Sequence, residues 1–181
     1  MRKEDANGIS YGIIRLHPRA ARGDVEADVS NGLPVFHMVG YLSSEVKEAS
    51  ERVRTAIRNA GIQIPARKVV VNLAPATVRK KGASFDLPIA LAVMAALGEI
   101  EGEKLERTLV IGELGLDGRV QEVPGILPML LEARKAGCRA CILPIRNAPE
   151  GALVDGIRIL GVRHLKEACD YLNGEVALKE E

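Results

Sequence analysis

Residues 69–97 read VVVNLAPATVRKKGASFDLPIALAVMAAL and carry the strongest structural signals in the chain. The apolar run from Val69 to Leu73 predicts a short buried strand. The run from Asp86 to Leu97 predicts a helix, and because nearly all of its side chains are apolar, we expect this helix to be buried on most sides. Pro88 fits only in the first turn of such a helix. A buried strand, a basic loop and a buried helix therefore form the centre of the predicted domain.

A second helix is predicted from Ser43 to Ala60, where apolar residues recur at steps of three or four and Gly61 supplies the stop. Ser43 or the following serine can cap its first turn. Arg52 and Arg54 fall outside the apolar stripe, so we expect them in solvent. Similar patterns predict helices at 127–136 and 165–172 and strands at 9–16, 140–143 and 157–162.

Two turn signals predict hairpins, because Asn-Gly and Asp-Gly are favoured in tight turns between strands. Hairpins mixed with helices, without a regular alternation of strand and helix, indicate an α+β domain with a mixed sheet and packed helices. The first turn, at residues 31–32, would join strands at 25–29 and 33–39. The second turn, at residues 117–118, would join strands at 109–114 and 119–123.

The composition excludes several classes of protein. The chain has 181 residues, 47% of them hydrophobic, which suits one globular domain and excludes global disorder. No apolar run reaches the roughly 18 residues that a membrane helix needs, so no membrane partner is expected. Three cysteines are too few for a disulfide scaffold and, without an apolar leader, indicate a reducing, cytoplasmic location. The five aromatic residues argue against a protein that grips single strands by base stacking.

The net charge of +1 conceals an uneven distribution of charge. Eight basic residues and no acidic residue lie between Arg52 and Lys81, so the rest of the chain carries a net charge of −7. Such a segment either faces a polyanion or is balanced in space by acidic neighbours such as Glu99, Glu101 and Glu103. The eight are Arg52, Arg54, Arg58, Arg67, Lys68, Arg79, Lys80 and Lys81.

Motifs for nucleotides and metals are weak or missing in the sequence. The chain lacks Gly-x4-Gly-Lys-Ser/Thr, so ATP hydrolysis by this segment alone is not expected. Cys138 and Cys141 form a Cys-x-x-Cys pair, but only Cys169 and His164 remain as plausible zinc partners, so buried thiols are the better interpretation. His37 alternates with core positions in a strand and is interpreted as structural. No metal site is predicted.

Ser84 opens the buried helix after the basic loop and has two interpretations. It is either a cap or turn residue, or a nucleophile, which would need a base within hydrogen-bonding distance. Asp86 could cap the same helix. Because helix N-termini attract anions, Arg79, Lys80 and Lys81 beside this one could bind phosphate.

Six segments, in order along the chain, together resemble a known family. They are GLPVFHMVG at 32–40, VKEASERVRTAI at 46–57, VNLAPA at 71–76, KGASFDLPIAL at 81–91, GELGLDG at 112–118 and LNGE at 172–175. The third and fourth, on either side of the basic loop, are the most specific. From about residue 25 to 175, the chain resembles the N-terminal domain of the ComM/YifB family of magnesium-chelatase-like AAA+ proteins.

The resemblance implies a fold and an assembly. The region is similar to the proteolytic domain of Lon protease and to the Lon-like domain of the recombination protein RadA, and the implied fold is that of ribosomal protein S5 domain 2. In that family the domain precedes an AAA+ module, which would bind ATP and Mg²⁺, while the domain itself holds no cofactor. The implied partners are this module, further copies in a homo-oligomeric hexamer, and DNA. Residues 1–24 match the family poorly, 25–175 form the Lon-like domain, and 176–181 are expected to be a flexible tail.

The resemblance to Lon also assigns the positions of a serine–lysine dyad. Lon's serine motif is similar to Gly-Ala-Ser at 82–84, so Ser84 holds the position of the nucleophile. The position of the lysine falls on Leu127, and leucine can neither accept a proton nor activate a serine. No catalytic residue is therefore predicted. Two alternatives stay open: a Lon-type peptidase in which Lys80 or Lys81 folds back over Ser84, and a domain associated with a metal chelatase.

The resemblance and the charge pattern together predict a non-catalytic, Lon-like accessory domain of an AAA+ ATPase. Its role would be hexamer assembly and DNA contact in DNA processing, such as branch migration in natural transformation. Contact with the phosphate backbone would be independent of sequence and weakened by salt. The candidate DNA- or phosphate-binding residues are Arg79, Lys80 and Lys81 in the loop, then Arg52, Arg54 and Arg58 on the helix.

Overall fold

The structure is a computed structural model that describes residues 2–4, 10–14, 24–105 and 107–178, with side chains described from residue 24 onwards. The predicted break at 17–19 lies outside these ranges, as do residues 1, 5–9, 15–16, 20–23, 106 and 179–181. The helices are α1 (Ser44–Asn59), α2 (Asp86–Leu97), α3 (Ile126–Lys135), α4 (Ala148–Gly151) and α5 (Leu165–Leu172). The strands are β1 (Arg2–Glu4), β2 (Ser10–Ile14), β3 (Asp24–Ser30), β4 (Val35–Val39), β5 (Lys68–Ala74), β6 (Thr108–Val110), β7 (Glu113–Leu114), β8 (Val120–Gln121), β9 (Ala140–Pro144) and β10 (Arg158–Val162).

The larger sheet has the strand order β1-β2-β3-β5-β4 and is mixed. Adjacent strands in this sheet run antiparallel, except that β4 runs parallel to β5. In that pair Val35 lies opposite Lys68 and Val39 lies opposite Asn72. The predicted hairpin of 25–29 with 33–39 is therefore wrong, because β5 lies between the two strands. The connection at 31–34 is long enough to cross the roughly 10 Å between strands two positions apart.

One face of this sheet forms the core of the domain. Alternate residues of β3 and β5 point inwards and are at most 2% exposed, because the side chains of a strand alternate between its faces. Helices α1 and α2 pack on this side. The inward residues are Val25, Ala27, Val29, Val69, Val71 and Leu73.

Helices α1 and α2 confirm the helix predictions. Every residue of α2 from Asp86 to Ala96 is buried, and Gly98 ends the helix in the left-handed conformation with a φ of 80°. Helix α1 buries its apolar stripe from Val46 to Ile57 and begins after Ser43, although the Ser43 side chain makes no capping hydrogen bond. The local periodicity of the sequence was sufficient to predict both helices, because each has an uninterrupted apolar pattern.

A second, three-stranded parallel sheet has the order β10-β9-β6. The predicted hairpin at 117–118 is confirmed as β7 paired with β8. The predicted strand 109–114 is instead divided into β6 and β7 at Gly112. A Cβ atom there would lie 2.9 Å from Val120 Cγ1 and 3.2 Å from Leu87 Cβ, so the close approach of these elements requires glycine.

The three thiols are free and buried, as the sequence indicates. Burial raises the pKa of Cys169 to about 12 and also raises the pKa values of Cys138 and Cys141. His37 lies in β4, with its side chain exposed on the outer face of the sheet. No helix in the described ranges is both long enough and apolar enough to cross a membrane.

Candidate phosphate-binding loop and its supporting ion pair

The loop between β5 and α2 is tied to the entry of α1. The Lys80 N–H donates to the Tyr41 carbonyl at 2.9 Å, and the Ser43 N–H donates to the Lys80 carbonyl at 3.0 Å. Leu42 and Lys80 form an isolated parallel bridge. The second half of the loop is therefore extended and held beside residues 41–43.

This extended conformation separates the three basic residues of the loop, because neighbouring side chains of an extended chain point in opposite directions. Arg79 and Lys81 are exposed, and the Arg79 guanidinium lies 5.8 Å from the ring centre of Tyr41. The Lys80 side chain is fully buried, and its Nζ donates to the Pro75 carbonyl. Burial lowers the pKa of Lys80 below its ordinary value. Of the three loop candidates, Arg79 and Lys81 can reach a phosphate in this conformation.

Arg52 lies partly beneath the surface and holds a buried carboxylate instead of pointing into solvent. Its Nε donates to Asp86 Oδ2 at 2.7 Å, and its Nη2 donates to Asp86 Oδ1 at 3.0 Å. The same Nη2 donates to the Glu45 carbonyl at 3.0 Å. Asp86 Oδ2 also accepts the N–H of Leu114 at 3.2 Å. The expected cap at Asp86 is therefore replaced by a link between α1, α2 and β7.

Burial and hydrogen bonding shift the pKa values of Asp86 and Arg52. Burial raises the pKa of the Asp86 carboxyl, and the hydrogen bonds from Arg52 and Leu114 offset part of this shift. The hydrogen bond to Asp86 raises the pKa of Arg52, despite the opposing effect of burial. Both Nε and Nη2 of Arg52 donate to Asp86. The positive charge of Arg52 is therefore balanced inside the domain and is not available to a phosphate.

The two remaining helix candidates lie on the exposed side of α1. Arg54 has 51% of its side chain exposed and lies 3.4 Å from Glu51, while Arg58 is exposed in the last turn. The first turns of the same helix carry Glu45 and Glu48. The exposed side of α1 is thus acidic near the loop and basic at its far end.

Glu45 connects the loop candidates with α1. Its pKa is lowered, chiefly by the Ser43 hydroxyl and its own backbone N–H, and further by attraction to Arg79 and Lys81. Arg58 lies 13 residues further along the helix, a distance of about 20 Å at 1.5 Å per residue. The structure therefore brings Arg79 and Lys81 together near Glu45 and leaves Arg58 apart from them.

Ser84 lies half-buried in the turn before α2, where Phe85 occupies the N-cap position. Its carbonyl accepts the Gly112 N–H at 3.1 Å. Within the described ranges its hydroxyl has no hydrogen-bond partner. Leu127, which the resemblance to Lon predicts at the position of the lysine, is half-buried against the core in the first turn of α3. The Lys80 amine is directed to the Pro75 carbonyl, so Lys80 is not placed as a base for Ser84.

The first turn of α2 is occupied by the Asp86 carboxylate, which accepts hydrogen bonds from Arg52 and from the Leu114 N–H. No three His, Cys, Asp or Glu side chains gather as metal ligands in the ranges that the structure describes.

The α+β fold, with its mixed sheet and packed helices, defines a Lon-like domain. The fold is that of the Lon proteolytic domain and of ribosomal protein S5 domain 2. The chain belongs to the family described as subunit ChlI of Mg-chelatase, which matches residues 25–147. This confirms the resemblance to magnesium-chelatase-like AAA+ ATPases.

Individual relatives agree with this assignment. The uncharacterized protein YifB of Escherichia coli is 42% identical over 170 residues, which cover 91% of this chain and 33% of YifB. The competence protein ComM of Haemophilus influenzae is 38% identical, covering 94% of this chain and 33% of ComM. Lon protease of Mycolicibacterium smegmatis is 27% identical, covering 82% of this chain and 20% of Lon. The chain thus spans about a third of the length of YifB and ComM.

Sequence reasoning missed the pairing of Arg52 with Asp86. The two residues are 34 positions apart, so no local pattern connects them. One signal was present: Asp86 is the single charged residue in a helix that is otherwise apolar and buried. Such a residue needs a cation, because a carboxylate is rarely buried without a partner.

Proposed function

We propose that this chain is a non-catalytic accessory domain of a longer magnesium-chelatase-like AAA+ ATPase. In this proposal a separate AAA+ module binds ATP and Mg²⁺, the parent protein assembles as a hexamer in the cytoplasm, and the domain contacts DNA. The observation that carries the proposal is the pair of exposed cations, Arg79 and Lys81, on a loop whose serine has no lysine partner. The process we propose is DNA processing of the branch-migration type, supported by the name of the relative ComM, a competence protein.

The chemistry of two positions supports the proposed lack of peptidase activity. A serine hydroxyl is a weak nucleophile without a base. Leu127 supplies no base, and the Lys80 amine hydrogen-bonds to Pro75. Hydrolysis of a peptide substrate that disappeared in Ser84→Ala would contradict this part of the proposal.

The proposed DNA surface consists of the exposed cations Arg79 and Lys81, with Arg54 and Arg58 along α1 as a second group. Their guanidinium and ammonium groups suit phosphate oxygens and carry no preference for sequence. Arg52 and Lys80 are left out, because one is paired with Asp86 and the other is buried. Glu45 partly balances the loop cations, so we expect binding to be weak and sensitive to salt.

The test is fluorescence anisotropy of a labelled duplex and a labelled fork with the 181-residue chain at several salt concentrations. In the double variant Arg79→Ala/Lys81→Ala, the plot of log affinity against log salt should become less steep, its negative slope shrinking in magnitude by about 1.8 for two lost phosphate contacts. The control Arg139→Ala/Arg146→Ala removes two exposed cations outside the basic segment and should leave the slope unchanged. Lys80→Met should also leave it unchanged. Equal binding by the loop variant and the control would refute the loop assignment.

The hexamer and the nucleotide are tested on the parent protein. Sedimentation of the full-length chain with and without ATP and Mg²⁺ should give a hexamer when nucleotide is bound. A parent protein that stays monomeric with ATP and Mg²⁺ would contradict the assembly, whereas the DNA measurement above depends only on the domain.

A further inference from the structure

Strand β4 carries an exposed apolar stripe at one edge of the larger sheet. Its outer residues alternate with half-buried ones, and Leu33 and Tyr41, two positions beyond either end of the strand, are exposed as well. Leu33 is 83% exposed, Val35 and Val39 are each 44% exposed and Tyr41 is 54% exposed. We call these residues the β4 stripe: Leu33, Val35, His37, Val39 and Tyr41.

The main chain of β4 is available for pairing on the side away from β5. β4 is the last strand in the sheet order, and in the described ranges no other strand pairs with that edge. Natural edge strands are usually blunted by lysine, proline or a bulge. Residues 35–39 read VFHMV and contain no lysine or proline, and Pro34 lies directly before the strand. An apolar edge of this kind is an aggregation hazard unless a partner covers it.

Cations lie at both ends of the stripe. Lys68 is the register partner of Val35, and Arg67 precedes it, with both side chains exposed. At the other end, Arg79 lies over Tyr41 and Lys81 is exposed two residues further on. The edge is therefore apolar in the middle and positively charged at both ends.

We propose that the β4 edge binds an extended peptide segment of a partner protein by strand addition. The segment has apolar side chains at alternate positions, facing the β4 stripe, and carboxylates at both ends, facing the two groups of cations. Main-chain hydrogen bonds to an unpaired edge give affinity in such complexes, and alternate side chains give specificity.

The charges favour this peptide over a second copy of the chain. Two β4 strands paired about a two-fold axis would place Val35 of one copy opposite Val39 of the other. The Lys68 end of each copy would then meet the Arg79 end of its partner, and like charges would repel. Nucleic acid suits the main chain of β4 less well, because bases do not repeat at the spacing of strand N–H and C=O groups and Tyr41 is the one aromatic residue in the stripe. Arg79 and Lys81 are also the cations proposed above for DNA, so this proposal expects peptide and DNA to compete for that end of the stripe.

The test uses the 181-residue chain and the fluorescein-labelled peptide acetyl-Glu-Asp-Val-Thr-Val-Thr-Val-Glu-Asp-amide. Anisotropy should show saturable binding, with binding at least tenfold weaker for a peptide whose four acids are replaced by lysine. Val35→Ser/Val39→Ser should weaken binding at least tenfold. Leu131→Ser/Leu153→Ser, which removes two exposed leucines elsewhere, should not. Hydrogen exchange of the complex should slow at the amides of residues 35–39.

Other outcomes overturn the proposal. Equal binding by the stripe variant and its control, or no protection of residues 35–39, would mean that the peptide does not use this edge. A dimer in sedimentation that dissociates in the stripe variant would assign the edge to a second copy. A dodecamer of thymidylate that competes with the peptide and protects the same amides would assign it to nucleic acid. If Val35→Ser/Val39→Ser fails to fold by circular dichroism, Leu33→Ser/Tyr41→Ser tests the same surface from outside the strand.

Discussion

The guanidinium of Arg52 holds both carboxylate oxygens of Asp86, with Nε 2.7 Å from Oδ2 and Nη2 3.0 Å from Oδ1. Asp86 has no exposed side-chain surface, whereas 22% of the Arg52 side chain is exposed. The pair joins the middle of α1 to the first turn of α2, and the Leu114 N–H extends the link to β7. The turn that carries Ser84 is positioned directly before this anchor.

Loss of Arg52 should destabilise the domain, because it leaves a buried carboxylate with one N–H partner. We expect Arg52→Met to lower the free energy of unfolding by about 2–3 kcal/mol, below the range for fully buried pairs because solvent reaches part of Arg52. Urea unfolding followed by circular dichroism measures it, since the chain has no tryptophan. Arg54→Met, from an exposed position on the same helix, should change the value by less than about 0.5 kcal/mol.

The double variant Arg52→Met/Asp86→Asn separates the buried charge from the lost packing. The asparagine keeps an acceptor for Leu114 and removes the charge, so this variant should be more stable than Arg52→Met alone. An equal or larger loss in the double variant would show that charge burial is not the main cause of the destabilisation.

Lys80 should make stability depend on pH at alkaline values. Its folded-state pKa is lowered by burial, so folding disfavours the charged form. The penalty is complete below the folded-state pKa and disappears as the pH rises to the unfolded value of about 10.5. We expect Lys80→Met to be most advantageous relative to the parent chain near pH 7, with the difference shrinking towards pH 10. The measurement is urea unfolding at pH 7, 8, 9 and 10, and a difference that grows with pH would contradict the burial of a charged Lys80.

His164 should stabilise α5 through both ring nitrogens. Nδ1 accepts the Lys166 N–H at 3.1 Å as the helix cap, and Nε2 lies 2.8 Å from the Asp117 carbonyl at the tip of the β7–β8 hairpin. His164→Ala should cost about 1–2 kcal/mol, whereas His164→Asp keeps a capping oxygen and should cost less. Thermal unfolding of the two variants measures the difference, and equal losses would show that the cap contributes nothing.

The sequence predicted the local elements well and the long-range contacts poorly. Helix α2 was predicted with its observed bounds, because its apolar run is continuous and Asp86 and Gly98 mark its ends. The pairing of β3 with β4 was wrong, because a turn signal describes a reversal of the chain and not which strand fills the space beside it. The insertion of β5 is decided by burial of Val69 and Val71 against α1 and α2, which no short window of sequence contains.

The candidate site shows the same division. The distribution of charged residues along the sequence was enough to locate the basic segment between Arg52 and Lys81. Which cations are accessible depends on the extended backbone at Lys80 and on the distant partner Asp86. Sequence position therefore ranked Lys80 with Arg79, and Arg52 with the exposed Arg54 and Arg58. The DNA-binding assignment of the exposed residues remains a prediction.

The alternation of Arg79, Lys80 and Lys81 constrains how the length of this loop can change. The bridge to Leu42 fixes which residue faces inwards. A residue inserted or deleted between Pro75 and Val78 would be absorbed by the turn, because the turn precedes the bridge, and Lys80 would remain the inward residue. A residue inserted between Arg79 and Lys81 would instead break the alternation of inward and outward side chains. Among homologous chains we therefore expect this loop to change length before Val78 and not between Arg79 and Lys81.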